Sequence, residues 1–297
     1  MCYVKSPLNY VGGKYKLLPQ ILPLFPENID TFWDIFGGGF NVGINVKANV
    51  IEYNDSLVEL PTLFFKLKYG SIENILSEIQ MLINKYELDK ENKDGYLALR
   101  KDYNENKLRT IFGRPETHSI YNSAIELYVL ICHSFSNQIR FNKRGEFNMP
   151  FGKRNFNDEM RKNFISFVMA LKEKTIYFSQ ENFKIIEENY LKRDFFGKND
   201  LVYCDPPYLN STATYNEQNK WKDEDEVRLL KWLDKLNDKG IKFALSNNLK
   251  YENPYLKQWI KENEGRYKVH YLKADYSNCN YQKKDKSEDM EVLIVNY

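Results

Sequence analysis

The run Leu201-Val202-Tyr203-Cys204-Asp205-Pro206-Pro207-Tyr208 constrains this chain most. Its first four residues read as a buried strand. Two prolines follow, and proline has neither a ladder N–H nor a free φ, so the chain must leave the sheet there in a fixed, extended turn. That exit sets a carboxylate, a proline carbonyl and an aromatic ring at the carboxyl edge of the sheet, where ligands bind in open α/β folds. A flat substrate amine could donate to the Asp205 carboxylate and the Pro206 carbonyl while Tyr208 stacks on its ring. The plainer alternative is a proline turn with an exposed tyrosine.

Strands and helices alternate at both ends of the chain. Ile29–Phe36 is an apolar, β-prone run ending at Gly37-Gly38-Gly39, and Asn49–Tyr53 is a second short strand leading to a helix over Leu57–Leu67. Ile241–Ser246 is a further strand, preceded by an amphipathic helix over Asp223–Leu236; Tyr267–Leu272 and Glu291–Asn296 could close the sheet as a terminal pair. This order predicts a three-layer α/β sheet. Residues 71 to about 137 read instead as helices, Ser71–Tyr86 with apolar residues at helical spacing. Ile139–Phe151 then reads as a hairpin turning at Lys143-Arg144-Gly145, where Gly145 can take positive φ. A mostly helical insert of about 80–100 residues therefore interrupts the sheet, a usual size for a small domain.

Three further segments bear on chemistry. The glycines after Thr31–Phe36 let a nucleotide-like cofactor approach the backbone. They do not form the dinucleotide pattern GxGxxG, because counting from Gly37 puts Val42 at the third glycine. Asp55 ends the next strand, the usual place for an acid that holds ribose hydroxyls, and it could also cap the following helix. Asn9-Tyr10-Val11-Gly12-Gly13-Lys14 fails as a phosphate loop, with Leu8 at the first glycine and Tyr15 after the lysine; it reads as a loop into a helix over Lys16–Leu24. From Arg140 to Arg154 there are five basic residues and one acid, interleaved with aromatics as in a strand touching nucleic acid, or as in a solvated hairpin.

Composition narrows the class. The 297 residues carry 43 Lys+Arg against 41 Asp+Glu, a net charge of +2, which excludes a polybasic protein but leaves room for a local basic face. With 42% hydrophobic residues wholesale disorder is excluded. The 15% aromatic content fits an AT-rich genome, with some rings free to stack on bases. Cys2, Cys132, Cys204 and Cys279 form no CxxC pair, and His118, His133 and His270 do not complement them, so no metal site is expected. No apolar run approaches the ~18 residues of a membrane span and no signal-peptide core is present, so a reducing, cytoplasmic setting is expected.

Taken in order, YVGGKYKLL, WDIFGGGFNVG, YND, RFNKRGEFNMPFG, VYCDPPY, ALSNN and EVLIVNY resemble one family over nearly the whole chain. That family is the Dam-type DNA adenine-N6 methyltransferases, whose glycine-rich cofactor motif precedes the DPPY motif. The resemblance implies a Rossmann-like α/β methyltransferase sheet with an inserted helical target-recognition subdomain carrying a β-hairpin. Residues 1–56 and 157–297 would be catalytic and 57–156 would recognise the target. It implies S-adenosylmethionine as cofactor, S-adenosylhomocysteine as product and no metal. Asp205, Pro206, Pro207 and Tyr208 match the catalytic motif. Tyr10, Lys14, Asp34, Phe36, Gly37, Gly38, Asp55 and Asp205 match cofactor positions. Asn9, Phe135, Asn137, Gln138, Arg140, Asn142, Lys143 and Arg144 fall at DNA-binding positions, Phe135 where an aromatic enters the base stack.

The implied partner is double-stranded DNA, in a prokaryote or phage, with a cognate restriction endonuclease where the chain serves a restriction-modification pair. Three departures stand out. Phe40 replaces the second glycine of FxGxG, Asn182-Phe183 stands for an Asp-Phe pair, and Asn9 and Gln138 replace the Lys and apolar residue of relatives that read GATC, so GATC is not the expected site. Methylation of RNA or of a protein amide, and a catalytically silent DNA-binding homologue, are the rival expectations; a dinucleotide oxidoreductase fails on glycine spacing.

Overall fold

The computed structural model describes residues 3–112, 120–192, 196–210, 221–273 and 290–297, and for 107–112, 120–122 and 190–192 the backbone alone. Cys2, Cys279 and His118 lie outside them.

Among the described residues, seven strands form one sheet: β1 (Thr31–Asp34), β2 (Val50–Asn54), β3 (Ile176–Ser179), β4 (Leu201–Cys204), β5 (Lys242–Asn248), β6 (Lys268–Lys273) and β7 (Met290–Val295). Their spatial order is β3-β2-β1-β4-β5-β7-β6. All neighbours are parallel except β7, which runs antiparallel to both β5 and β6. The predicted run at Ile29–Phe36 shortens to four residues, because the chain has already turned at Ile35 to begin the glycine loop. The terminal pair forms as expected.

The helices are α1 (Leu18–Ile21), α2 (Glu59–Tyr69), α3 (Ile72–Lys85), α4 (Lys93–Phe112), α5 (Ile120–His133), α6 (Asp158–Glu173), α7 (Phe183–Lys192), α8 (Asp223–Asp238) and α9 (Pro254–Glu262). The helix expected over Lys16–Leu24 is α1 between two 3-10 turns, with Pro19 and Pro23 removing interior N–H donors. Side-chain caps start several helices. Ser71 accepts from Asn74 N–H before α3, Asn157 from Met160 before α6, and Asn253 from Leu256 before α9. Helix α8 opens with Asp223, Glu224, Asp225 and Glu226, which complement its N-terminal dipole.

Two cores flank the sheet, making three layers. Phe32, Tyr53 and Tyr203 face a core with Leu60, Leu63 and Phe64 of α2 and Phe164 and Phe167 of α6. Ile35, Val202 and Cys204 face another with Leu229, Trp232 and Leu233 of α8 and Leu256 of α9. Adjacent residues of β4 thus serve opposite layers, as the strand period requires. Helices α2 to α6 all lie between β2 and β3 in the chain. Cys132 and Cys204 are buried free thiols, and burial pushes Cys132 up to about 12.

Candidate active site at the sheet switch point

From β1 the chain winds outward to β2 and β3; from β4 it winds the other way to β5. The order reverses between β1 and β4, the place where open α/β sheets leave a crevice at their carboxyl ends. Parallel register pairs Asp34 with Tyr203, and Ile35 N–H donates to the Tyr203 carbonyl at 3.1 Å. The strand ends therefore deliver Asp34 and Asp205 side by side.

The glycine loop follows from β1. Gly37 packs flat on the Tyr53 ring, where a Cβ would come within 2.2 Å. Gly38 takes φ +48 beneath the Tyr10 ring, its N–H donating to Asp55 Oδ2 at 2.8 Å and its carbonyl accepting from the Tyr53 hydroxyl at 2.8 Å. Phe40, at the position of the family's second glycine, keeps a glycine-like φ of 61. It is fully buried, edge-on to Tyr53 with centroids 4.6 Å apart. The departure read from sequence is thus absorbed as backbone strain held by ring packing. Phe36 points to the other layer, among Phe183 and Trp221.

The loop at residues 9–14 folds over this edge. Lys14, 3% exposed, donates from Nζ to Asp205 Oδ2 at 2.8 Å and to the Gly12 carbonyl at 2.8 Å. Its ammonium also lies 5.0 Å from the Tyr208 ring centroid. The Tyr208 hydroxyl sits 3.3 Å from Asp205 Oδ1 and 3.0 Å from Glu291 Oε2. Pro206 is buried and Pro207 half-buried.

The crevice is electrostatically tense. Burial, then the charges of Asp205 and Asp55, hold the Asp34 carboxyl well above its ordinary value, against one lowering N–H from Gly43. Asp34 Oδ1 is buried with no partner. Burial lifts Asp55 to about 6, despite N–H donors from Leu57 and Gly38. Burial also raises Asp205, outweighing the Lys14 ammonium. Asp55 does not cap α2, whose N-cap is Val58; it makes a local turn by accepting from Leu57 N–H at 2.8 Å.

The sequence reading passes over two residues of this edge. Asn54 accepts Gly37 N–H on its carbonyl, donates from Nδ2 to the Ile35 and Glu181 carbonyls and accepts Glu181 N–H, tying the ends of β1, β2 and β3 together. Glu291, buried on β7, reaches Tyr208; its signal is an acid at the head of the apolar run Val292–Val295.

The residues assigned to DNA cluster around the turn after α5. Phe135 is 57% exposed, on a turn whose next two residues, Ser136 and Asn137, both take positive φ. Asn9 donates to the Ser136 carbonyl at 2.7 Å, joining this turn to the loop carrying Tyr10 and Lys14. The hairpin forms where expected, bridged at Phe141 and Phe147, with Gly145 at φ 76 in its turn. Lys143 and Arg144 are exposed at its tip, and Gln138 is half-buried. Asn142 organises the tip, accepting from Arg144 and Glu146 N–H and donating to the Glu146 carboxylate. Asn137 donates to the Ile131 and Cys132 carbonyls, and Arg140 bonds Asn148 across the hairpin.

A seven-stranded, mostly parallel sheet with carboxylates and a glycine loop at its switch point is consistent with the Rossmann-like methyltransferase class. The model of the D12 class N6 adenine-specific DNA methyltransferases matches residues 10–278, and the chain belongs to that family. It is 43% identical over 304 residues to Type II methyltransferase M.FokI of Planomicrobium okeanokoites, and 40% identical over 304 residues to modification methylase StsI of Streptococcus sanguinis. Each match covers 99% of this chain and 43% of the relative, so the chain spans less than half the length of either. Type II methyltransferase M.MjaIII of Methanocaldococcus jannaschii is 28% identical over 318 residues, 99% of both chains. Among the described residues, no helix is long and apolar enough to cross a membrane.

Proposed function

We propose that this chain transfers a methyl group from S-adenosylmethionine to the N6 amino group of adenine, at a specific site in double-stranded DNA, after the base has left the helix. The carrying observation is the cluster Lys14–Asp205–Tyr208 at the switch point, beside a glycine loop and a buried carboxylate with an open oxygen. The crevice fits the cofactor by charge. Asp34, Asp55 and Asp205 present three carboxylates, the right surroundings for an ammonium and a sulfonium, and Asp34 Oδ1 is an acceptor in want of a donor. Tyr10, Lys14, Phe36, Gly37 and Gly38 complete the cofactor side of this reading.

Bound S-adenosylmethionine supplies an electrophilic methyl on sulfur. The protein's part is to prepare the nitrogen. The adenine amine is a weak nucleophile because its lone pair is delocalised into the ring. Asp205 and the Pro206 carbonyl accept its N–H bonds and favour a tetrahedral nitrogen, while Tyr208 stacks on the extruded base and Pro207 fixes the turn. Orientation of this kind is worth roughly 7–11 kcal/mol. Extrusion costs a few kcal/mol of unstacking, and on this reading the exposed Phe135 ring fills the gap.

On the same reading, residues 57–156 recognise the target. Asn9, Asn137, Gln138, Arg140, Asn142, Lys143 and Arg144 shape the DNA face, some through side chains that hold the turn and hairpin rather than by touching bases. The relatives named as type II and modification methylases support a restriction endonuclease sharing the site as partner.

The test is transfer of labelled methyl from S-adenosylmethionine into duplex DNA, RNA or protein, followed by sequencing of modified bases. Label in adenine of duplex DNA is expected, and Asp205→Ala should lower it at least about a hundredfold. Label in RNA or protein alone, or no cofactor binding by calorimetry, would replace this reading with one of its rivals.

A further inference from the structure

We infer that Glu291 is a positioning residue of this site: it takes the proton of the Tyr208 hydroxyl into its own hydrogen bond and so leaves Asp205 Oδ1 open to the substrate amine. The inference rests on the methyltransferase reading above.

Glu291 is an expensive residue where it stands. It is 4% exposed, on a strand flanked on both sides by β5 and β6, and Val292 to Val295 after it are all buried. A carboxylate in such a place is tolerated only when its oxygens are bonded. Both are: Oε2 by the Tyr208 hydroxyl at 3.0 Å and Oε1 by Asn248 Nδ2 at 3.1 Å. Asn248 is its register partner across β5 and β7 and is itself fixed by accepting Lys250 N–H at 2.9 Å. The acid is thus held in one orientation, aimed at one hydroxyl 83 residues away.

The hydroxyl carries a single proton and has two carboxylates in reach, Asp205 Oδ1 at 3.3 Å and Glu291 Oε2 at 3.0 Å. The shorter contact is to Glu291. Asp205 Oδ2 is already engaged by Lys14. Without Glu291, the tyrosine hydroxyl would donate to Oδ1, taking one of its two lone pairs and drawing off the negative charge that attracts the amine. Glu291 also fixes the ring at its hydroxyl end, while the Lys14 ammonium stands over its face and Tyr251 lies 6.2 Å away.

This arrangement makes an unusual expectation about a double substitution. Glu291→Leu removes the acceptor with an apolar side chain of similar size and also leaves Asn248 Nδ2 without it, so retention of the fold is checked by circular dichroism. This variant should lower kcat at least tenfold and leave cofactor affinity within twofold by calorimetry. Glu291→Gln paired with Asn248→Asp, which lets the amide oxygen face Tyr208 while its amino group donates to residue 248, should keep kcat within about threefold of the wild type. Adding Tyr208→Phe to Glu291→Leu removes the misdirected proton, so the double variant should be no slower than Glu291→Leu alone. In a duplex with 2-aminopurine at the methylated position, Glu291→Leu should still give the fluorescence rise of an extruded base.

Wild-type kcat in Glu291→Leu, losses that multiply in the double variant, or a vanished fluorescence rise at unchanged DNA affinity would each overturn the inference. Absence of adenine methylation by the wild-type protein would instead overturn the reading of the site, and this role with it.

Discussion

The sheet edge and the segment from 134 to 154 keep their shapes by opposite means. At the sheet edge the backbone is held by parallel ladders and a glycine loop, so side chains are left over for charge. Asp34 keeps a bare oxygen there, Asp205 pairs with Lys14, and the Tyr208 hydroxyl lies between Asp205 and Glu291. In the segment after α5 there is almost no ladder, only bridges at Ser134–Phe151 and Phe141–Phe147. Side chains do the backbone's work instead. Asn104 on α4 donates to the Phe147 carbonyl and accepts its N–H, as a neighbouring strand would. Tyr96 and Arg100 bond the Met149 carbonyl, and Asn137 closes the end of α5. The lesson concerns the polar residues of the proposed DNA face: many of them spend their hydrogen bonds on shaping the segment itself.

The largest test of this contrast lies on the sheet side. Phe40 joins a strained φ to a fully buried ring. Phe40→Gly restores the family's residue and relieves the strain, a net gain of about 1 kcal/mol once glycine's greater loss of entropy on folding is counted. It also empties the space of a buried ring, worth about 3–5 kcal/mol. Packing should win, with a net loss of roughly 2–4 kcal/mol in urea denaturation. A more stable variant would show that strain, not packing, sets this loop.

On the other side, Asn104→Ala strips both backbone partners from buried Phe147. Two lost bonds with groups left unpaired cost about 2 kcal/mol. The hairpin should loosen, lowering DNA affinity in a filter-binding assay, while cofactor affinity holds within twofold. Equal loss of both would mean that the two regions are not built independently.

A third test uses pH. Asp55 titrates at about 6 in the fold, above the ordinary carboxyl value. If its ionised form accepts ribose hydroxyls, cofactor affinity should fall as pH drops below about 6, by up to tenfold per unit. Asp55→Asn should flatten that profile. Stability moves the other way. A carboxyl with a raised folded value holds its proton more tightly when folded, so its contribution grows as pH falls from about 6 toward 4. Comparing thermal melts of wild type and Asp55→Asn across that window isolates the contribution.

How much of this was legible in the sequence follows from the same contrast. Strand β4 was readable to the residue because Leu201–Cys204 is uniformly apolar and ends at two prolines. The glycine loop and Asp205-Tyr208 were readable because each lies within a few consecutive residues. Glu291 was not, since its meaning depends on β7 lying beside β5, and nothing near residue 291 announces Tyr208. Asn104 was not, because an asparagine on a polar helix looks like any other until its register with Phe147 is known. Asn142 and Arg140 lie in the hairpin read from sequence, but their side-chain bonds within it depend on cross-hairpin geometry that residue type does not encode.

The smallest expected effect probes the turn itself. Ser136 sits at φ 56, and its carbonyl takes the Asn9 amide. A left-handed residue other than glycine costs about 1–2 kcal/mol. Glycine there removes that cost but loses more entropy on folding, roughly 0.5–1 kcal/mol. Ser136→Gly should therefore be neutral or stabilising by up to about 1 kcal/mol, because the bond to Asn9 uses backbone that glycine keeps. A loss of more than that would show that the Ser136 side chain, and not the turn's backbone, holds Phe135 outward.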